Sequence, residues 1–182
     1  MEKSGWVFNR GQRMNGENGF TLVELMVVIA IIAIISVIAI PNIVVWRENA
    51  QISRATRDLL SDFQQAKIEA VKSNTYCSIT FNQSPGGYTV YLDPNQNLQY
   101  DTGEDVVTSK TWSDYGSTKF DTSQGGGDGL TFSNPNNGVA FAPNGLPINN
   151  LGGFGAGTAF LTNDRGRKTS VVVSSAGNLR IP

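Results

Sequence analysis

One carboxylate inside an apolar run of bilayer length constrains this chain more than any other feature. Residues 20–40 carry no charge except Glu24, and the run ends at Pro41. About 21 residues at ~1.5 Å rise span about 31 Å, the thickness of a hydrocarbon core. An ionisable group at such depth costs about 3 kcal/mol or more unless a partner neutralises it, so Glu24 calls for a reason.

The 182 residues have room for one membrane segment and one modest globular domain. With 14 basic and 15 acidic residues, the net charge of −1 gives no global pull toward nucleic acid or anionic lipid. The absence of histidine and the single cysteine, Cys77, exclude a zinc or iron–sulfur site and any intramolecular disulfide. Cys77 alternates with apolar neighbours and has no histidine to activate it, so it reads as a small core residue. Paired acids such as Glu104 and Asp105 lack any cleft signal. Nothing in the chain points to an enzyme.

A secretory signal places its small-residue cleavage site after the apolar run. Here Gly19 precedes the run, and residues 40–42 do not form such a site, so the span stays on the mature protein. Lys3, Arg10 and Arg13 precede it; Arg47, Arg54 and Arg57 follow, interleaved with Glu48 and Asp58. The asymmetry is weak, but the shortness of the leader favours a cytoplasmic N-terminus and an exported remainder.

Proline removes one helical hydrogen bond and kinks a helix, yet a helical period resumes beyond Pro41. Ile52, Ala55, Leu59, Phe63, Ala66 and Ala70 recur at spacings of three and four, while Arg54, Arg57, Asp58, Asp62, Lys67 and Glu69 occupy much of the other surface. Arg54 and Asp58 can pair at four residues apart. The spacing predicts one helix fading near Ser73 and Asn74, apolar in its first half and amphipathic in its second. Strand-like runs follow at 76–81, 88–92, 106–112, 130–132, 139–141, 159–161, 170–173 and 178–181, separated by Gly-, Asn- and Pro-rich turns. Short strands with tight turns predict antiparallel hairpins, whose apolar face the amphipathic half-helix covers. The fold class is therefore α+β, a ladle with a long helix and a β domain on its outer half.

Gly19-Phe20-Thr21-Leu22-Val23-Glu24, the apolar helix and Pro41 together resemble the N-terminus of type IV pilins and type II secretion pseudopilins. The segments Gln64-Gln65-Ala66-Lys67-Ile68-Glu69-Ala70-Val71, Phe141-Ala142-Pro143-Asn144-Gly145-Leu146-Pro147 and Gly177-Asn178-Leu179-Arg180 resemble the GspH/FimT family of minor pseudopilins. The resemblance implies that a prepilin peptidase cuts between Gly19 and Phe20 and methylates the new Phe20 amine. It divides the chain into a cleaved leader (1–19), a transmembrane and filament-core helix (20–41), its amphipathic continuation (42–74) and a periplasmic β domain (75–182). It also implies assembly with other pilins or pseudopilins through the helix. Paired C-terminal cysteines, common in major pilins, are missing, which points to a minor subunit.

Glu24 has a physical role that agrees with this likeness. A carboxylate on one subunit can neutralise the Phe20 amine of the next, turning two costly charges into one partly buried pair. Without the motif, an acid snorkelling beside its own helix would be the simpler account. Pro41 reads as a hinge, or as a tolerated bend. Asp93, Asn95, Asn97, Asp101 and Glu104 fall at positions 1, 3, 5, 9 and 12 of a calcium-loop spacing, although Leu98 stands where that loop wants glycine and the flanks read as strands. The alternative is a polar hairpin loop of Asx turns. Arg165, Arg167, Lys168 and Arg180 form a small basic group. The Gly-Arg-x-Arg ending of FimT-like relatives in DNA-uptake pili is broken at Asn178, and so few charges argue against DNA as a partner.

These readings lead to a minor pseudopilin of a type II secretion system, single-pass in the bacterial inner membrane. Its β domain faces the periplasm and contacts other subunits or secreted cargo. A minor pilin of a type IV pilus, with or without a part in DNA uptake, is the nearest alternative. A membrane-anchored periplasmic domain that never polymerises would need neither Gly19-Phe20 nor Glu24.

Overall fold

The computed structural model describes residues 19–132, 137–149 and 152–182. The predicted leader lies outside this range apart from Gly19. The chain divides into two units, Met1–Pro41 and Asn42–Pro182. A single helix, α1 (Leu22–Ser73), runs through Pro41 and ends where Asn74 adopts a left-handed backbone (φ 51°) that asparagine tolerates. Its described residues in the first unit are apolar apart from Glu24 and Ser36, without a single buried side chain.

In the second unit the amphipathic period of α1 is realised: Ile52, Ala55, Leu59, Phe63, Ala66 and Ala70 are all fully buried. Nine strands follow among the described residues, forming two antiparallel sheets. The five-stranded sheet has the order β3-β2-β1-β5-β6, built from β1 (Tyr76–Asn82), β2 (Gly87–Asp93), β3 (Val106–Thr111), β5 (Gly138–Phe141) and β6 (Pro147–Ile148). The four-stranded sheet has the order β4-β7-β8-β9, from β4 (Lys119–Phe120), β7 (Gly157–Thr162), β8 (Lys168–Val173) and β9 (Leu179–Arg180). Tyr76 pairs with Asp93 at one end of the β1–β2 hairpin and Asn82 with Gly87 at the other. This register sends Cys77, Ile79 and Phe81 into the core with α1.

Phe63 stands at the centre of that core. Its ring centroid lies 6.3 Å from those of Phe81 and Phe132 and 6.4 Å from that of Phe141, the last edge-on. Val171, Val173 and Leu161 bring the second sheet into the same cluster. One helix stripe thus covers two sheets. Cys77 is fully buried, and burial, then the negative charges of Glu69 and Asp93, push its thiol up to about 12, so it stays protonated and inert at neutral pH.

Three expectations need correction. Residues 130–132 form no strand: Leu130 makes only an isolated bridge to Ala159, while Leu130 and Phe132 still fill the core. The two-residue strands β4 and β6 are too short for alternation to reveal. Asp62, assigned to the solvent face by its charge, is buried. The Tyr88 hydroxyl donates to it at 2.6 Å, and Lys110 on β3 closes an ion pair at 2.8 Å. A turn earlier, Tyr115 donates to Asp58 at 2.8 Å, while the expected Arg54–Asp58 pair forms at 3.8 Å on the surface. Burial and the Asp62 carboxylate both raise the Tyr88 hydroxyl far above its ordinary value, keeping it a donor.

Phe63→Ala is expected to destabilise the second unit by about 3–5 kcal/mol, because three neighbouring rings cannot collapse onto an alanine. Urea unfolding of the detergent-solubilised chain measures this; a loss below about 1 kcal/mol would show that the rings repack around the gap.

Candidate functional site

The apolar half of α1 starts on a built cap. Thr21 accepts the Glu24 N–H through its side-chain oxygen at 3.2 Å and the Leu25 N–H through its carbonyl at 3.2 Å. Thr21 is therefore the N-cap and Glu24 the third helical residue, in the Thr-x-x-Glu order of a capping box. The carboxylate sits at the positive end of the helix, where a negative charge is favoured. The Thr-x-x-Glu spacing of residues 21–24 is the sequence signal for this helix start.

Among the described residues, the Glu24 carboxylate is exposed and makes no ion pair or hydrogen bond. Gly19 and Phe20 precede the helix, Phe20 with 83% of its surface exposed. From Leu22 to Ile40 the large apolar side chains stand outward on all sides of the helix. The described residues leave this stretch uncovered, and a helix apolar all round suits a membrane or the core of a larger bundle. Pro41 lies inside α1 at the boundary of the two units.

The five residues of the calcium-loop spacing come together between β2 and β3. Asp93 is fully buried at the end of β2, where its carboxylate accepts from the Ser78 hydroxyl (2.6 Å), the Leu98 N–H (2.9 Å) and the Asn97 N–H (3.3 Å). Leu98 adopts the left-handed conformation (φ 55°) that glycine supplies in such loops, and its side chain is buried. The Asn95 and Asn97 side chains both reach the same Asp101 oxygen at 2.8 Å, and Glu104 accepts the Asp101 N–H at 2.9 Å. The other Glu104 oxygen is buried without a partner. Desolvation, with Asp93 and Asp101 nearby, raises the Glu104 carboxyl above its usual range despite that backbone bond.

Two observations test the fit to a cation. No lysine or arginine pairs with these three carboxylates among the described residues, so only neutral hydrogen-bond donors offset their mutual repulsion. Against this, no three acidic or cysteine side chains among the described residues form a metal-holding group by themselves. A cation would therefore need the amide oxygens of Asn95 and Asn97, each amide turned over so that oxygen faces Asp101.

The structure divides the basic group. Arg165 forms a two-pronged pair with Glu48 on α1 (3.0 and 3.3 Å), and beside it the Asn163 amide donates to Asn49 at 3.0 Å. Lys168 pairs with Asp121 at 2.7 Å. Burial pushes the Asp121 carboxyl up, but hydrogen bonds from Lys168 and Ser123 outweigh it and hold the group below its ordinary value. Arg167 and Arg180 keep exposed side chains without an ion pair among the described residues.

Within the motif at the end of β5, Phe141 fills the core and Pro143-Asn144 form a turn closed by the Gly145 N–H donating to Ala142 at 2.8 Å. Gly145 has φ 75° and lies against the Lys67 stem, so glycine is required there.

The sequence matches known families. The family described as "Type II transport protein GspH" matches residues 55–177, and the "Prokaryotic N-terminal methylation motif" matches residues 14–40. The chain is similar to a pilin-like protein, PilA1, of Thermus thermophilus. The two are 27% identical over 165 residues, covering 90% of this chain and 97% of the relative. No solved structure matches it.

Proposed function

The chain belongs to the GspH family, and from that premise we propose that it is a minor pseudopilin of a type II protein secretion system. The observation that supports this most is an uncovered apolar helix with a capped start, bearing an unpaired Glu24 and preceded by Gly19-Phe20. Its role is structural, not catalytic. A prepilin peptidase cuts after Gly19, leaving Phe20 as a methylated, cationic terminus. Before assembly the helix spans the inner membrane with the β domain in the periplasm. On assembly it exchanges lipid for the helices of other subunits, and the Glu24 carboxylate takes the Phe20 amine of a neighbour. Because either charge alone is costly in an apolar bundle, the pair fixes the axial register. Pro41 acts as the hinge between the helix in the bundle and the helix on its sheets. The β domain meets neighbouring minor subunits or secreted cargo.

The likeness to a pilin-like protein supports a second reading, a minor pilin of a type IV pilus. Proteins co-purified from cells separate the two: secretion-system components support the first, pilus components the second.

Mass spectrometry of the mature chain is expected to find a methylated N-terminus at Phe20. An intact Met1, or a cut after residue 40, would contradict the assembly reading. Glu24→Ala is expected to leave the protein in the membrane while lowering its recovery in filaments by about tenfold or more, the cost of one unpaired buried charge. Normal incorporation would contradict the register role.

Calcium is a separate proposal for the β2–β3 loop, resting on three carboxylates that no described lysine or arginine pairs with and on the left-handed Leu98. Chelation of calcium from the purified chain is expected to lower its melting temperature by about 5 °C, the linkage effect of a site near saturation in a domain of this size. An unchanged melting temperature would leave the loop closed by its own hydrogen bonds.

A further inference from the structure

A polar groove of about 610 Å³ runs between the outer half of α1 and the second sheet, entirely within the second unit. Arg57 lines it from α1 and Arg167 from the β7–β8 hairpin, with Gln124 and Ser170 beside them. Neither arginine has an ion pair or side-chain hydrogen bond among the described residues, and both are exposed. The one acid in the lining, Asp121, is already matched by Lys168. The groove therefore presents two guanidinium groups that no acid among the described residues pairs with, although Pro182, the last residue of the chain, also lines it.

The hairpin backbone that carries Arg167 is braced against α1. Arg165 and Asn163 tie the hairpin to Glu48 and Asn49 of α1, on the same helix that carries Arg57. The Asn163 side-chain oxygen also accepts the Arg165 and Arg167 N–H groups at 3.1 and 2.9 Å, which holds the turn closed. The hairpin thus commits one arginine to bracing and leaves the next one free. The turn fixes the backbone from which Arg167 projects, and the planar fork of its guanidinium matches a carboxylate in two-pronged fashion.

We propose that this groove binds a carboxylate-bearing segment of a neighbouring protein subunit, with Arg57 and Arg167 as the anion-binding residues. Two free cations on a chain of net charge −1 suit a short acidic peptide segment and give little hold on a nucleic acid, whose affinity grows with the number of phosphates neutralised. That the carboxylates belong to a filament neighbour rests on the assembly reading above; that the groove takes carboxylates does not.

The test uses the full chain in detergent, so its outcome is independent of filament formation. Fluorescein-labelled hexaglutamate is titrated by anisotropy at low and moderate salt, with hexaglutamine, inorganic phosphate and a duplex DNA as comparisons. Saturable binding of hexaglutamate is expected, weakened by salt and by about tenfold in the Arg57→Gln/Arg167→Gln variant, with Arg180→Gln unchanged. Both arginines are exposed, so the variants are expected to melt as the parent does. Absence of hexaglutamate binding, equal binding by the double variant, or tighter binding of the phosphate or duplex would each overturn the proposal.

Discussion

A helix that is apolar on every side and uncovered by any described residue of its own chain needs partners from elsewhere, and that requirement organises this molecule. Lipid satisfies the leucines, isoleucines and valines of residues 22–40 as well as other helices do. It does not satisfy Glu24. In the proposed assembly the carboxylate is the group that distinguishes a membrane-resident subunit from an assembled one. Its placement on the first turn, under the Thr21 cap, already gives it a favourable helix-end environment.

The same helix changes partners beyond Pro41. Its stripe from Ile52 to Ala70 is covered by two sheets, and Phe63 joins them through the rings of Phe81, Phe132 and Phe141. The polar anchors are as specific as the apolar ones. Asp58 and Asp62, one turn apart, receive the hydroxyls of Tyr115 and Tyr88, and Asp62 also takes Lys110. A buried carboxylate with one partner removed would be costly, so these contacts define where the helix lies as well as how firmly. The hairpin pair Arg165–Glu48 adds a third fastening nearer the start of this unit.

Much of this was legible in the residues. The spacing of Ile52, Ala55, Leu59, Phe63, Ala66 and Ala70 predicted the buried stripe because helix periodicity is a local property. Alternation and turn residues located the longer strands for the same reason. Local pattern failed where tertiary partners decide. Asp62 is hydrophilic, yet Tyr88 and Lys110 bury it. Leu130 and Phe132 look like a strand but reach the core from an irregular segment. Residues 119–120 and 147–148 become strands only because other strands lie beside them. The basic residues near the C-terminus form one group in sequence, whereas in space Arg165 and Lys168 are committed to acids and Arg167 shares a groove with Arg57. No local signal joins two arginines so far apart in the chain.

The pairing of Glu24 with a neighbour's terminal amine is the claim on which the functional account turns, and a filament reconstruction by cryo-electron microscopy tests it most directly. Such pairing predicts the Glu24 carboxylate within about 4 Å of the Phe20 nitrogen of an adjacent subunit, the range of an ion pair. A map in which that carboxylate faces lipid or solvent, with no amine from any protomer beside it, would contradict it.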